Sequence, residues 1–169
     1  ISTKLYKNSY SMDKLKSKAV ALVAHDNRKK DMIDWVEYNW KELAKHSLVC
    51  TGTTGSLVNQ AMQQKCMENQ VIPPNVTRLK SGPLGGDQQI GSQIAEGNIH
   101  CLIFFWDPFE PMPHDPDIKA LLRLASVWNI PVACNSSTAD LLVSSPHFHS
   151  ENIREIPNYA QYAKGRTKP

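Results

Sequence analysis

Five times along the chain, a short apolar run rich in β-branched residues gives way to a longer stretch with helical spacing of its apolar positions. The runs are Ala19 to Ala24, Ser47 to Cys50, Val76 to Lys80, Ile99 to Phe105 and Pro131 to Cys134. The helical stretches are 28–45, 55–65, 86–96, 116–128 and 138–145. In the first of these, Met32, Ile33, Val36, Trp40, Leu43 and Ala44 share one face, the signature of a core-facing stripe. Repeated strand–helix units imply parallel strands joined by helical crossovers. The first and fourth runs are apolar almost throughout, which suits strands covered on both faces. The expected architecture is α/β: a single-domain, doubly wound, Rossmann-like sheet of five parallel strands with helices on both faces.

Two segments fall outside this rhythm. Residues 1–17 read as an N-terminal extension, with Met12 a candidate natural start, and the domain itself spans 18–169. Within it, 62–75 (MQQKCMENQVIPPN) is polar and carries a Pro-Pro pair, the composition of a loop insertion ahead of the third strand. Residues 150–169 form a tail of little periodicity ending AKGRTKP, expected to be mobile.

Composition narrows the class. The chain has 169 residues, 41% hydrophobic and 21% charged, enough for an ordinary core without disulfides or a structural metal. No apolar run approaches membrane-spanning length. The net charge of +3 is spread among acids, so a small anionic ligand fits at least as well as nucleic acid, which calls for a basic face with interleaved aromatics. Cys50, Cys66, Cys101 and Cys134 show no metal-ligand spacing and read as reduced thiols in a cytosolic protein.

In a doubly wound sheet, ligands bind beyond the carboxyl ends of the strands. Nearly every polar cluster of this chain follows a strand. His25-Asp26-Asn27-Arg28-Lys29 follows the first, Thr51-Gly52-Thr53-Thr54-Gly55 the second and Ser81-Gly82-Pro83-Leu84-Gly85-Gly86-Asp87 the third. A proline-rich loop from Trp106 to Asp117, holding Asp107, His114 and Asp117, follows the fourth, and Asn135 to Asp140 the fifth. The Thr-Gly turn ahead of a helix offers backbone N–H groups and hydroxyls for a phosphate, joined by Ser81, Gly82 and the charge of Lys29. His25-Asp26 ends a buried strand, where a charge needs a task. No two histidines stand at helical ligand spacing near this site, so no metal is expected. His147 and His149 read as an exposed loop, and His46 and His100 receive no role.

A phosphate grip, a carboxylate in a Gly-rich loop and a histidine on the opposite loop suit proton abstraction beside a carbonyl. Asp87 can be the base, and His114 the donor to the developing enolate oxygen.

The set ALVAHD, TGTTG, SGPLGGDQQIG, FFWDP, PHDPD, ALLRLASVWNIPVACN and TAD, over residues 19 to about 148, closely resembles the methylglyoxal synthase family in order and spacing. That resemblance implies a methylglyoxal-synthase-like fold and a lyase that converts dihydroxyacetone phosphate to methylglyoxal and inorganic phosphate without metal or organic cofactor. It also implies a cytoplasmic homohexamer commonly inhibited by phosphate. Carried over by motif, Asp87 is the base, and His114 with Asp26 and Asp117 handles the carbonyl oxygen and proton traffic. His25 belongs to the site, and Lys29, Thr51, Thr53, Thr54, Ser81 and Gly82 resemble phosphate contacts. Asp107 follows the fourth strand as in relatives, and Tyr159 and Arg166 fall where relatives have a Tyr and a phosphate-reaching Arg. Two departures stand out: the longer 62–75 segment, and Cys134 where a Thr is common. Two other readings remain open. A non-catalytic effector-binding module of the same fold, as at the regulatory end of carbamoyl phosphate synthetase, needs neither Asp87 nor His114. A metal-dependent hydrolase would lose activity to chelators.

Overall fold

A computed structural model describes residues 17–150, together with Glu155 and residues 158–160. Five strands form one parallel sheet: β1 (Ala19–Ala24), β2 (Ser47–Cys50), β3 (Val76–Arg78), β4 (Cys101–Phe105) and β5 (Val132–Ala133), in the order β3-β2-β1-β4-β5. Every pairing is parallel; Val20 faces Leu48 on one side and Cys101 on the other. Among the described residues, seven α-helices accompany the strands: α1 (Lys29–Tyr38), α2 (Trp40–Leu43), α3 (Gly52–Glu68), α4 (Gly86–Ala95), α5 (Asp115–Val127), α6 (Ser136–Ser144) and α7 (Pro146–His149). Among the described residues no helix is long and apolar enough to cross a membrane.

The strands' period-two alternation divides the core. Val20, Leu22, Ala24, Cys101, Ile103 and Phe105 pack with α1, α3, α6 and Phe148 of α7 on one face. Ala21, Val23, Leu102 and Phe104 pack with Ile90 and Ile94 of α4 and Ile118, Leu121 and Ala125 of α5 on the other. Both β1 and β4 are buried along almost their whole length, as their apolar runs require. The expected doubly wound sheet is therefore the one observed.

Some local features depart from the sequence reading. The 28–45 stretch is not one helix: a 3₁₀ turn at Asp26–Arg28 precedes α1, and the chain breaks at Asn39 before α2. There the Asn39 amide donates to the Trp35 carbonyl (3.1 Å), a local side-chain bond of the kind that competes with continued helix. The 62–75 segment is no loop over its first half, because α3 continues to Glu68 and buries Met62 and Cys66 against the sheet. Only from Asn69 does the chain leave the helix. His147 and His149 are not in a loop either. Ser145 caps α7 by accepting the His147 N–H (3.2 Å), and Phe148 is buried. The described part of the tail is docked: Asn129 donates to the Glu155 carbonyl (3.0 Å), and Tyr159 bonds the Val127 carbonyl and stacks edge-on against Trp128. Residues 1–16 of the expected extension, and Arg166, lie outside the described residues.

His46 has a structural role that its sequence context did not reveal. It is buried below the amino end of β1, where its Nδ1 accepts the Lys18 N–H (3.2 Å) and its Nε2 faces Glu42 (3.3 Å). Burial, the largest influence, pushes the imidazole below its ordinary value near 6.5; Glu42 opposes this, and Lys18 and His149 add to it. The folded protein thus binds fewer protons at His46 than the unfolded chain does. This contribution is full above pH 6.5 and is lost as pH falls below it toward the lowered folded value. Urea unfolding of wild type and His46→Gln from pH 8 to pH 5 should show the stability gap narrowing on acidification. A gap independent of pH would refute this account.

Candidate active site

The chain fills one half of the sheet with β2 and β3 and then returns to the other side of β1 with β4, so the switch point lies between β1 and β4. Splayed connections at such a point leave a crevice. Here it is a cavity of about 340 Å³. Its wall carries His25, Asp26 and, at the start of α1, Lys29 after β1, Thr51 to Thr54 after β2, Ser81, Gly82 and Asp87 after β3, and His114 after β4. Four of the five strand-end connections thus meet on one pocket; the one after β5 does not, because Asn135 caps α6 and Asp140 accepts from Trp35 and Asn39.

One side is an anion cradle. Thr51 takes the cap position of α3 in extended backbone without its side chain bonding the helix, which leaves its hydroxyl to the cavity. The Gly52 N–H is taken by the Leu79 and Lys80 carbonyls (3.2 and 3.1 Å), tying this turn to the loop after β3. The next first-turn N–H groups, of Thr53 and Thr54, have no acceptor within the helix and lie at its positive end. The Thr54 hydroxyl is directed at the Ala24 carbonyl (3.4 Å), joining α3 to the end of β1. Lys29 reaches across from α1, bonded to Asp26 (2.5 Å) and to the Thr53 hydroxyl.

Opposite stands Asp87, 2% exposed in the first turn of α4, with neither carboxyl oxygen hydrogen-bonded. Close packing places it there: a Cβ on Gly86 would lie 2.0 Å from the Lys80 carbonyl oxygen, so only glycine lets the loop fold back tightly enough to turn the next residue inward. Burial raises the Asp87 pKa above the usual carboxylate range; His114 opposes the shift and Asp117 reinforces it. His114 Nε2 lies 3.7 Å from Asp87 Oδ2, and Gly82 leaves room for both, since a Cβ there would meet them at 2.9 and 3.0 Å.

His25 completes the wall. Its Nδ1 accepts the Asp107 N–H (3.0 Å), so in the neutral ring the proton resides on Nε2, which is buried and has no protein partner. Burial holds the ring neutral by lowering its pKa, and the nearby His114 adds to the effect. The ring also lies edge-on to His114, with centroids 5.7 Å apart.

Two expected residues stand back from the cavity. Asp107 lies behind His25, its carboxylate taken by the Asn27 amide and the Phe109 N–H, which hold its pKa below the usual range. Asp117 sits in the first turn of α5 and accepts from Gln88 (3.1 Å), the neighbour of Asp87 in sequence. Arg166 is not among the described residues. Asp26 lies at the rim, mostly exposed, its pKa lowered chiefly by its bond to Lys29. Sequence reasoning missed Met112 and Pro83, which supply apolar wall. Neither has a chemical signature, and only their place in the two strand-end loops could have suggested them.

Fold and pocket together define an α/β domain of the MGS-like class, and the model of that family, the MGS-like domain, matches residues 31–134. A protein named methylglyoxal synthase from Cellvibrio japonicus is 52% identical over 90% of this chain and 92% of its own. One of the same name from Pseudoalteromonas atlantica is 60% identical over 78% of this chain and 90% of its own. A crystal structure of methylglyoxal synthase from Elizabethkingia anophelis NUHP1 superposes with a TM-score of 0.77 at 48% identity, covering 90% and 93% of the two chains. The chain belongs to the methylglyoxal synthase family.

If the cradle binds phosphate, the Lys29 ammonium supplies its one full positive charge among the described wall residues. Calorimetric titration with inorganic phosphate should show Lys29→Met binding roughly tenfold to a hundredfold more weakly than wild type. Equal affinities would show that the anion does not sit in the cradle.

Proposed function

We propose that this protein converts dihydroxyacetone phosphate to methylglyoxal and inorganic phosphate, as a carbon–oxygen lyase. The observation that carries this reading is Asp87: a buried carboxylate with no hydrogen-bond partner, facing a cavity whose other wall is built for an anion. An effector-binding module would have no task for that carboxylate, and leaving it unpaired is costly.

The substrate's phosphate occupies the cradle of Thr51, Thr53, Thr54, Ser81, Gly82 and Lys29, with Asp26 holding the ammonium in place. Asp87 takes a proton from the hydroxymethyl carbon, and the electron pair moves onto the carbonyl oxygen, giving an enediolate. The Nε2 proton of His25 and the ring of His114 meet that oxygen as its charge grows. The former carbonyl oxygen takes up a proton and the hydroxyl on the deprotonated carbon gives one up, through His114; that second oxygen becomes an aldehyde carbonyl, the double bond shifts to the phosphate-bearing carbon, and the carbon–oxygen bond to phosphate breaks, its electron pair leaving with the phosphate. The resulting enol ketonises, taking up a proton to become the methyl group of methylglyoxal. Asp117, beside Gln88, acts through its charge on Asp87, raising the basicity of the ionised base.

The cradle also sets the outcome. An enediolate can be reprotonated or can expel phosphate, and expulsion requires the carbon–oxygen bond to lie perpendicular to the enediolate plane. Gripping the phosphate from several directions fixes that torsion. Arg166, a cytoplasmic homohexamer and inhibition by phosphate belong to the same proposal through the family resemblance.

Incubation with dihydroxyacetone phosphate should release phosphate and a dicarbonyl in equal amounts. Asp87→Asn, isosteric but unable to accept the proton, should lose at least about a hundredfold to ten-thousandfold in kcat with an unchanged circular dichroism spectrum. The raised Asp87 pKa also places the acid limb of kcat/KM above that of an ordinary carboxylate, because the base works only when ionised. Wild-type turnover that survives in Asp87→Asn would remove Asp87 from this role.

A further inference from the structure

Between Phe105 and Asp115 the loop after β4 contains no strand or helix, yet it must present Met112 and His114 to the cavity. Prolines 108, 111 and 113 stiffen it internally but do not fix where it lies relative to the loop after β1. That relation rests on a short run of polar contacts. The His25 N–H donates to the Phe105 carbonyl (3.1 Å), and the Asp107 N–H donates to His25 Nδ1 (3.0 Å). Asn27 Nδ2 donates to Asp107 Oδ2 (3.0 Å) and to Glu110 Oε2 (2.7 Å).

Asn27 does not line the cavity, and both of its amide hydrogens are directed at carboxylates. Without a donor between them, Asp107 and Glu110 would repel each other across the two loops. Since Asp107 also carries the N–H that occupies His25 Nδ1, the contacts run unbroken from Glu110 at the surface to the His25 Nε2 in the wall.

We propose that Asn27 is a positioning residue: by clamping Asp107 and Glu110 it holds the Asp107 N–H on His25 Nδ1, so that His25 presents a protonated Nε2 to the substrate oxygen. The role rests on the reaction proposed above for this cavity, but the state of the His25 ring can be read without turnover. Nitrogen-detected NMR of the ligand-free protein, with the His25 signals assigned through His25→Gln, should show a single tautomer protonated on Nε2. In Asn27→Asp, which keeps the shape but removes both hydrogens and adds a third carboxylate, the ring should populate both tautomers. In the same variant kcat should fall about tenfold to a hundredfold with KM little changed, because the phosphate cradle is untouched.

The charged groups facing His25 are His114, Asp107, Asp115 and Asp26, and a carboxylate at position 27 adds to the acidic side. The ring then protonates at higher pH, which moves the acid limb of kcat upward. Asn27→Gln retains the amide and should restore the single tautomer and the parental pH profile, while Asn27→Ala, adding no charge, should mix the tautomers as Asn27→Asp does. A parental tautomer and pH profile in both Asn27→Asp and Asn27→Ala, whatever their kcat, would overturn the proposal. If wild type shows the fixed tautomer but no turnover, the reaction fails, and the tautomers of the Asn27 variants still decide whether Asn27 positions the ring.

Discussion

An ionisable side chain buried without a hydrogen bond is the constraint around which the rest of the structure is arranged. Asp87 could relieve its burial by turning toward solvent, and three features oppose this. Gly86 admits the Lys80 carbonyl at a distance no side chain would permit, which locks the loop. Ile90 and Ile94, on the same helix, are fully buried against β1 and β4 and fix its rotation. The positive end of α4 favours the ionised form even as burial disfavours it. The opposed influences leave a carboxylate that is ionisable but more basic than one in water. The stability of the sheet and its packed helices maintains this strained electrostatic state.

The same hydrogen bond serves two ends of the fold for different purposes. His46 and His25 each accept a backbone N–H at Nδ1, from Lys18 at the amino end of β1 and from Asp107 after the carboxyl end of β4. Burial keeps both rings neutral. What separates them is the other nitrogen. His46 Nε2 meets Glu42, so its hydrogen-bonding capacity is satisfied within the protein. His25 Nε2 faces the cavity and has no hydrogen-bond partner among the described residues. Chemistry arises here from a withheld partner, with no change in the kind of residue or bond.

That distinction also explains what the sequence disclosed. Strand alternation and the apolar runs of β1 and β4 depend on local composition, so the sheet and its two-faced core were legible. The strand-end rule then placed His25, Thr51, Ser81, Asp87 and His114 together, because topology alone brings those loops to one edge. Nothing local marks His46 as structural and His25 as part of a site. The extent of α3 was misread for a related reason. Gln63, Gln64 and Lys65 are polar as a helix's solvent face must be, while burial of Met62 and Cys66 one turn apart holds the helix. Asp107 and Asp117 were named from motif, but their place behind the wall follows from Asn27 and Gln88, polar residues without motif value.

Placing these groups behind the wall changes what they can do. A carboxylate in the cavity beside Asp87 would compete with the substrate's phosphate for Lys29 and for the cradle. Asp107, with both oxygens occupied by Asn27 and the Phe109 N–H, does neither, and only its backbone N–H acts toward the site, through His25. Asp117 bears on the base by its charge and keeps a bond to Gln88 outside the pocket. Asp26 is the exception at the rim, and its pairing with Lys29 aims the ammonium at Thr53. The acids around this cavity thus surround an anion site without filling it. An anionic substrate can enter, and its arrival raises the basicity of Asp87, which is buried in the cavity wall.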